Sequence, residues 1–193
     1  CNPYPDCPDG YTAIANSPPI NDGDIHDGYC FYQDDLDVLQ DIIDSNNNLE
    51  NLAPLELGKQ TWYIIDWNNS GSVEIFHYGR LGSLDLSDLP ITNFPESIVN
   101  LDKLENLYFS NIPLSAIPKS IGYITELERI YAIGGQLTGQ LPPELGNLTN
   151  LEQLRLQDNQ LTGPIPPELG NLTNLTFLWL QNNQVTGSIP AEL

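Results

Sequence analysis

The chain repeats itself. Residues 137–160 read LTGQLPPELGNLTNLEQLRLQDNQ, residues 161–184 read LTGPIPPELGNLTNLTFLWLQNNQ, and residues 185–193 open a third copy, VTGSIPAEL. The copies start 24 residues apart, at 137, 161 and 185, and self-similarity at a fixed period of this size belongs to solenoids rather than to closed cores. Within a copy the spacing is Leu151-x-x-Leu154-x-Leu156-x-x-Asn159-x-Leu161, and then Leu175-x-x-Leu178-x-Leu180-x-x-Asn183-x-Val185. Leu154 and Leu156 alternate with Gln153, Arg155 and Gln157, which predicts a short strand with leucines inward and the other side chains outward. One coil cannot bury such a row alone. Stacked coils set their strands ~4.8 Å apart in a parallel sheet, and stability becomes a sum of coil and neighbour contributions.

This spacing, with the L-T-G-x-[IL]-P-x-E-L-G-N-L signature at Leu137 and Leu161, resembles the plant-type class of extracellular leucine-rich repeats, found in receptor ectodomains, secreted inhibitors of wall-degrading enzymes and bacterial surface proteins. The resemblance implies an α/β fold: a right-handed solenoid with a concave parallel sheet, short 3₁₀ turns on the convex side and an N-terminal cap of helix and hairpin. It also implies that Asn159 and Asn183 are buried and satisfy backbone groups of neighbouring coils. Upstream the repeats degrade. Residues 91–113 and 114–136 have a period of 23 and lack one residue before Phe-Pro or Ile-Pro. Leu89, Ile112 and Gly135 occupy the Asn position, so the ladder is expected to fail over the first coils. The organisation expected is an acidic Cys-containing segment over 1–33, a cap over 34–80 and repeats over 81–193 with no evident C-terminal cap. Leu84, Leu86, Leu107, Phe109, Ile130, Ala132, Leu154, Leu156, Leu178 and Leu180 form the predicted core.

With 26 acidic against 6 basic residues and a net charge of −20, nucleic acid and anionic membranes are excluded as partners. Cations, cationic proteins and neutral glycans stay open. No stretch approaches the ~18 apolar residues of a membrane span. The chain carries neither an initiating Met nor a signal peptide, which predicts a processed or excised product. Cys1, Cys7 and Cys30 in one acidic segment point to an oxidising, extracellular or cell-surface setting. A Cys7–Cys30 disulfide is the preferred pair, closing a loop of about 24 residues for roughly 3 kcal/mol on the chain-entropy model. Cys1 is then a thiol, paired elsewhere or lipid-modified. Asn21–Gly28 (NDGDIHDG) looks like a calcium loop, but Asp27 stands at the sixth position and no Glu follows at the twelfth, so an acidic turn is expected. His26 alone among carboxylates makes no zinc site. No metal or cofactor is expected.

Asp34–Asn46 (DDLDVLQDIIDSN) places Leu36, Leu39, Ile42 and Ile43 on one helical face, with Asp34, Asp35 and Asp37 in the first turn where they favour the helix dipole. Trp62–Trp67 and Val73–Tyr78 flank the turn cluster at 68–71 and predict a hairpin, after which Arg80 and Leu81 lead into the first coil. No catalytic constellation is present: His26 and His77 are the only histidines, and carboxylate pairs discriminate nothing in so acidic a chain. An enzyme is not expected.

Aligning the strands reads the outward positions as columns. The central column is Asp85, Tyr108, Tyr131, Arg155 and Trp179; beside it runs Ser83, Asn106, Arg129, Gln153 and Phe177, and then Ser87, Ser110, Ile133, Gln157 and Gln181. Tyr108, Tyr131, Arg155, Trp179 and Phe177 make an aromatic and guanidinium stripe of the kind that anchors interfaces. The expected function is a non-enzymatic extracellular recognition or adhesion module that binds a protein, peptide or glycan on this concave face. One alternative is a structural subunit that stacks head to tail through the uncapped coil at 185–193, and another is ice binding through Thr138, Thr162 and Thr186. Asn68, Asn147, Asn171 and Asn174 satisfy N-x-[ST] and are the expected glycan acceptors of a secreted eukaryotic protein; a bacterial source leaves them bare.

Overall fold

A computed structural model of the chain describes residues 10–13, 30–54, 57–66, 77–191 and 193. Its elements in chain order are β1 (Tyr11–Ala13), β2 (Cys30–Tyr32), α1 (Gln33–Asp44), β3 (Lys59–Asp66), β4 (His77–Asp85), β5 (Asn106–Tyr108), β6 (Arg129–Tyr131), β7 (Gln153–Arg155), β8 (Thr162–Pro164), β9 (Phe177–Trp179) and β10 (Gln184–Thr186). The main sheet runs β1-β2-β4-β5-β6-β7-β9, with β3 on β4. From β4 to β9 every pairing is parallel, in the register Leu84, Leu107, Ile130, Leu154, Leu178. This is the solenoid that the repeat demands. Four 3₁₀ turns, Glu96–Asn100, Lys119–Tyr123, Pro143–Asn147 and Pro167–Asn171, stack on the opposite side of the coils. A second small parallel sheet, β8 with β10, lies between the last two coils.

The core is one column of Leu, Ile and Phe threaded through the coils. Leu84, Leu86, Leu107, Phe109, Ile130, Ala132, Leu154 and Leu156 are buried as predicted, but Leu178 and Leu180 are only partly so. The reason is position: β9 is the last strand of the sheet, so those two leucines are covered from one side.

Asn159 is buried, and its Nδ2 donates to the carbonyls of Ala132, Leu156 and Gln157 at 2.7, 3.1 and 3.2 Å while its Oδ1 accepts from the Leu137 N–H at 3.2 Å. Asn183 repeats these bonds with Leu156, Leu180 and Gln181 and with the Leu161 N–H, but it is half-buried rather than buried as expected, because it belongs to the last strand's coil. Upstream the same inner position is filled by Ile112, buried, and Leu89, half-buried. The Ser87 and Ser110 hydroxyls there accept from the N–H of Ser110 and Ile133, one coil on, at 3.1 Å each.

The cap follows its amphipathic pattern. Helix α1 buries Leu36, Val38, Leu39, Ile42 and Ile43 and stacks against the first 3₁₀ turn, and it spans 33–44 rather than 34–46. Asn46, just beyond it, is buried and bridges outward: its Nδ2 reaches the Ile42 and Asn93 carbonyls, and its Oδ1 accepts from the Thr92 and Asn93 N–H groups. Asp35 lies in the first turn as expected and has a further role there. It is 1% exposed; it accepts from Arg80 Nε at 3.0 Å and the Leu81 N–H at 2.9 Å, joining the helix to the first coil. Arg80 also pairs with Asp102 and lies 3.8 Å from the Tyr32 ring centroid. The hairpin forms as expected between β3 and β4, antiparallel from Asp66↔His77 to Lys59↔Asp85, and β4 runs straight on into the first coil. The acidic Cys-containing segment contributes two strands: β1 pairs antiparallel with β2, and β2 parallel with β4. The Cys7–Cys30 pairing, Cys1, the Asn21–Gly28 turn and Asn68 lie outside the described residues, as do the side chains of Cys30 and His77.

Candidate binding face

The parallel register aligns the outward side chains as the repeat predicts: Asp85, Tyr108, Tyr131, Arg155 and Trp179 in one row, Ser83, Asn106, Arg129, Gln153 and Phe177 in the next. Strands β5, β6 and β7 each bury their middle residue and turn the flanking pair out, and β9 turns its pair out over the half-buried Leu178. The rings meet across strands. Tyr108 and Tyr131 lie 5.0 Å apart between centroids. The Arg155 guanidinium carbon sits 4.5 Å from the Tyr131 ring on one neighbouring strand and 4.5 Å from the Trp179 ring on the other, with Phe177 at 6.0 Å. Phe177 and Trp179 make a T-shaped pair at 6.3 Å. All five predicted stripe residues are therefore brought into one contiguous patch, exposed most at Phe177 (43%) and Trp179 (37%).

Gln153 organises its centre. Its Oε1 accepts from the Tyr131 hydroxyl at 2.6 Å and from Arg155 Nη2 at 2.8 Å, which holds the guanidinium between the rings. Burial raises the pKa of the Tyr108 phenol above its ordinary value, the neighbouring Tyr131 adding to the shift, so Tyr108 presents a neutral hydroxyl. Beside the aromatic row, Arg129 donates to Asn106 Oδ1 at 3.0 Å and pairs with Glu128 and Glu152 at 3.3 and 3.1 Å. The third column departs from the outward reading: Gln157 is buried at 8% exposure, its Oε1 without a donor, and Ser87 and Ser110 serve the backbone. Beyond it runs a column that sequence reasoning did not single out. Asp88, Asn111, Gly134, Asp158 and Asn182 all have positive φ, between 57° and 67°, and Asn111 and Asn182 donate to Asp88 and Asp158 of the preceding or neighbouring coil at 3.1 and 2.6 Å. The signal was present, since Asn, Asp and Gly are the residues that tolerate this conformation.

The model of the leucine-rich repeat region matches residues 37–192. The chain belongs to the leucine-rich repeat family. Among solved structures, the leucine-rich repeat ectodomain of the receptor kinase SOBIR1 from Arabidopsis thaliana is 26% identical with a TM-score of 0.65, covering 84% of this chain and 86% of that one. The BIR3–SERK2 complex from the same plant matches at 32% identity and a TM-score of 0.55 over 67% of each chain. A plant ice-binding protein matches at 34% identity and a TM-score of 0.52, over 58% of this chain and 37% of that one. No curated protein matches it in sequence.

Other expected sites of this leucine-rich repeat chain fall off the concave face. Asn147 and Asn171 are exposed at the last positions of two equivalent 3₁₀ turns. Asn174 is exposed too, but its Nδ2 donates to the Thr149 carbonyl at 2.8 Å. Thr138 and Thr162 donate their hydroxyls to the carbonyls of Ser115 and Gly139 at 2.8 and 3.2 Å. Among the described residues no group of His, Cys, Asp and Glu is arranged to hold a metal, and no helix is long and apolar enough to cross a membrane.

Proposed function

We propose that this leucine-rich repeat chain is a non-enzymatic extracellular or cell-surface recognition module that binds a protein, peptide or glycan through Tyr108, Tyr131, Arg155, Trp179 and Phe177. The observation that carries the reading is the clamp of Arg155 between Tyr131 and Trp179. A solenoid is stabilised by its inward leucines and needs no aromatic on its outer strand positions. Single exposed aromatics are ordinary, whereas a contiguous patch of aromatic and Arg side chains is the composition of interface anchors. Likeness to the ectodomain of the receptor kinase SOBIR1 supports the setting, and likeness to a chain of the BIR3–SERK2 complex supports binding as the mode of action.

The test is a screen of secreted proteins and glycans against the intact chain and a Tyr131→Ala, Trp179→Ala double variant of unchanged melting temperature. Binding is expected to weaken by ~2 kcal/mol or more in the variant. Equal binding would move the function to the lateral faces. A second reading, end-to-end stacking of copies, is favoured by the apolar edge formed by Leu178, Leu180 and Val185 with Ile189 exposed beside them; a monomer mass across the concentration range would remove it. Ice binding is supported by the likeness to the plant protein and opposed by the engagement of the Thr138 and Thr162 hydroxyls with backbone; a thermal-hysteresis assay without activity removes it.

A further inference from the structure

We infer that Tyr123, on the convex turns, is the platform for a neutral N-linked sugar carried by Asn147 of the next coil. The inference concerns the side away from the concave face and does not depend on what that face binds.

Its starting point is an exposed ring without a role in the fold. Of the large apolar side chains exposed among the described residues, Phe177 and Trp179 belong to the concave stripe and Ile189 and Leu193 to the terminal coil; Tyr123, 58% exposed, belongs to neither. Its side chain makes no ring contact or hydrogen bond among the described residues. A single exposed aromatic is ordinary, and what singles this one out is its neighbour. Tyr123 closes the 3₁₀ turn Lys119–Tyr123 as Asn147 closes Pro143–Asn147 and Asn171 closes Pro167–Asn171. The turns step from coil to coil in the same way, since an added Cβ at Gly122 would lie 2.4 Å from the Glu144 carbonyl oxygen and one at Gly146 2.3 Å from that of Glu168. Tyr123 follows Gly122 and Asn147 follows Gly146, so Tyr123 stands beside Asn147 as Asn147 stands beside Asn171. The strands of neighbouring coils are ~4.8 Å apart, a step that a phenol side chain spans.

The second observation is the state of the acceptor. Asn147-Leu148-Thr149 satisfies N-x-[ST]. Asn150 and Asn174 donate their Nδ2 to the Thr125 and Thr149 carbonyls at 3.2 and 2.8 Å, whereas Asn147 is exposed and its side chain makes no hydrogen bond among the described residues. Transfer forms the bond from Asn147 Nδ2 to C1 of the sugar and breaks the bond from C1 to the diphosphate of a lipid-linked oligosaccharide; the diphosphate departs and the amide gives up one proton. The 2-acetamido sugar so attached has a face of C–H bonds. Stacked on the phenol ring, that face removes apolar area from water and meets the electron-rich side of the ring, while the Tyr123 hydroxyl stays in water. Glu144 and Glu168, on the same turns as the acceptors, favour a neutral sugar over an acidic one. Asn171 has the same turn and the same sequon, but its neighbour on the preceding coil is Asn147, which offers no ring. The two acceptors differ in the ring beside them, so each is a control for the other.

The experiment secretes the chain from a eukaryotic host in two forms, one keeping Asn147 (Asn68→Gln, Asn171→Gln, Asn174→Gln) and one keeping Asn171 (Asn68→Gln, Asn147→Gln, Asn174→Gln). Glycans are trimmed to one N-acetylglucosamine, occupancy is read by mass spectrometry, and melting temperature is compared with that of the bare chain of the same sequence. The sugar on Asn147 is expected to raise the melting temperature by about 2 °C or more, the gain vanishing in Tyr123→Ser and surviving in Tyr123→Phe. The sugar on Asn171 is expected to give no gain that depends on Tyr123. Protons of the Asn147 sugar should also shift upfield under the ring current, and return in Tyr123→Ser. A gain unchanged in Tyr123→Ser, or no gain at Asn147, overturns the inference. So does a Tyr123→Ser loss that is equal in the bare chain, which would make the ring structural, and so does an Asn147 that emerges without sugar.

Discussion

In the coils that begin at Leu137 and Leu161 the chain leaves its strand over a side-chain amide, buried at Asn159 and half-buried at Asn183; in the coils before them it leaves over the hydrocarbon of Leu89 and Ile112 and over Gly135, which carries no side chain. Asn159 and Asn183 each satisfy carbonyls of two coils and the N–H of a third segment, whereas Ile112 and Leu89 only fill volume, and the Ser87 and Ser110 hydroxyls take over part of the backbone accounting. What both regions keep is the left-handed turn residue at the strand exit and the parallel ladder. The difference teaches that the coil shape is set by backbone conformation and by inward volume, and that the Asn ladder is one of two ways to satisfy the turn.

Four measurements break or sharpen that comparison. The largest effect is expected from Asn159→Leu, which imports the upstream solution into a coil built for the other. It strands the Leu137 N–H and the Ala132 carbonyl, while the Leu156 carbonyl keeps Asn183 Nδ2 and the Gln157 carbonyl keeps the Gly134 N–H, and should cost about 4 kcal/mol by denaturant unfolding, at one to three per unmet buried group. A cost below about 1 kcal/mol would make the two solutions interchangeable. Next, Leu154→Ala should cost about 3 kcal/mol and Leu178→Ala about 1, because the first side chain is enclosed by coils on both sides and the second on one. Equal costs would mean that the stack is covered beyond β9.

Third, the convex packing is common to both regions. An added Cβ at Gly122 would lie 2.4 Å from the Glu144 carbonyl oxygen, and one at Gly146 would lie 2.3 Å from that of Glu168. Gly122→Ala and Gly146→Ala should each lose about 2 kcal/mol, and a large inequality would show that the turns stack differently in degenerate and regular coils. The smallest effect belongs to the cap. Desolvation raises the pKa of Asp35 above its usual value, against the lowering pull of Arg80 and the Leu81 N–H. Folding then carries a charged-form cost at neutral pH that is relieved as pH falls through the folded-state pKa towards ~4. Melting temperature should therefore rise on mild acidification, and rise less in Asp35→Asn. Equal slopes would remove Asp35 from the account.

Much of this was legible in the residues. Period, strand register, the buried leucines and the stripe all follow from one alternation, because in a solenoid each coil meets only its neighbours and position along the repeat is position in space. Asp35 was not legible, since an acid in the first helical turn ordinarily serves the dipole, and only the approach of β4 brings Arg80 and Leu81 onto it. Nor was Gln157: an outward strand position gave no sign that its neighbours would cover it. The strands β1 and β2 were hidden for a different reason, being three residues each in a segment without periodicity.

The offsets between bonded partners on successive coils are 23 upstream and 24 downstream, and yet the concave rows stay aligned across the change. The residue gained or lost lies before the Ile-Pro or Leu-Pro step, away from the strands. Length is thus edited on one arc of the coil while the other keeps its alignment. A residue deleted or inserted there leaves unchanged which side chains stand together on the face, as the unbroken register across the 23-to-24 change shows. The make-up of the face and the length of the coil are thus carried by separate arcs, and a coil of either length keeps its face in register.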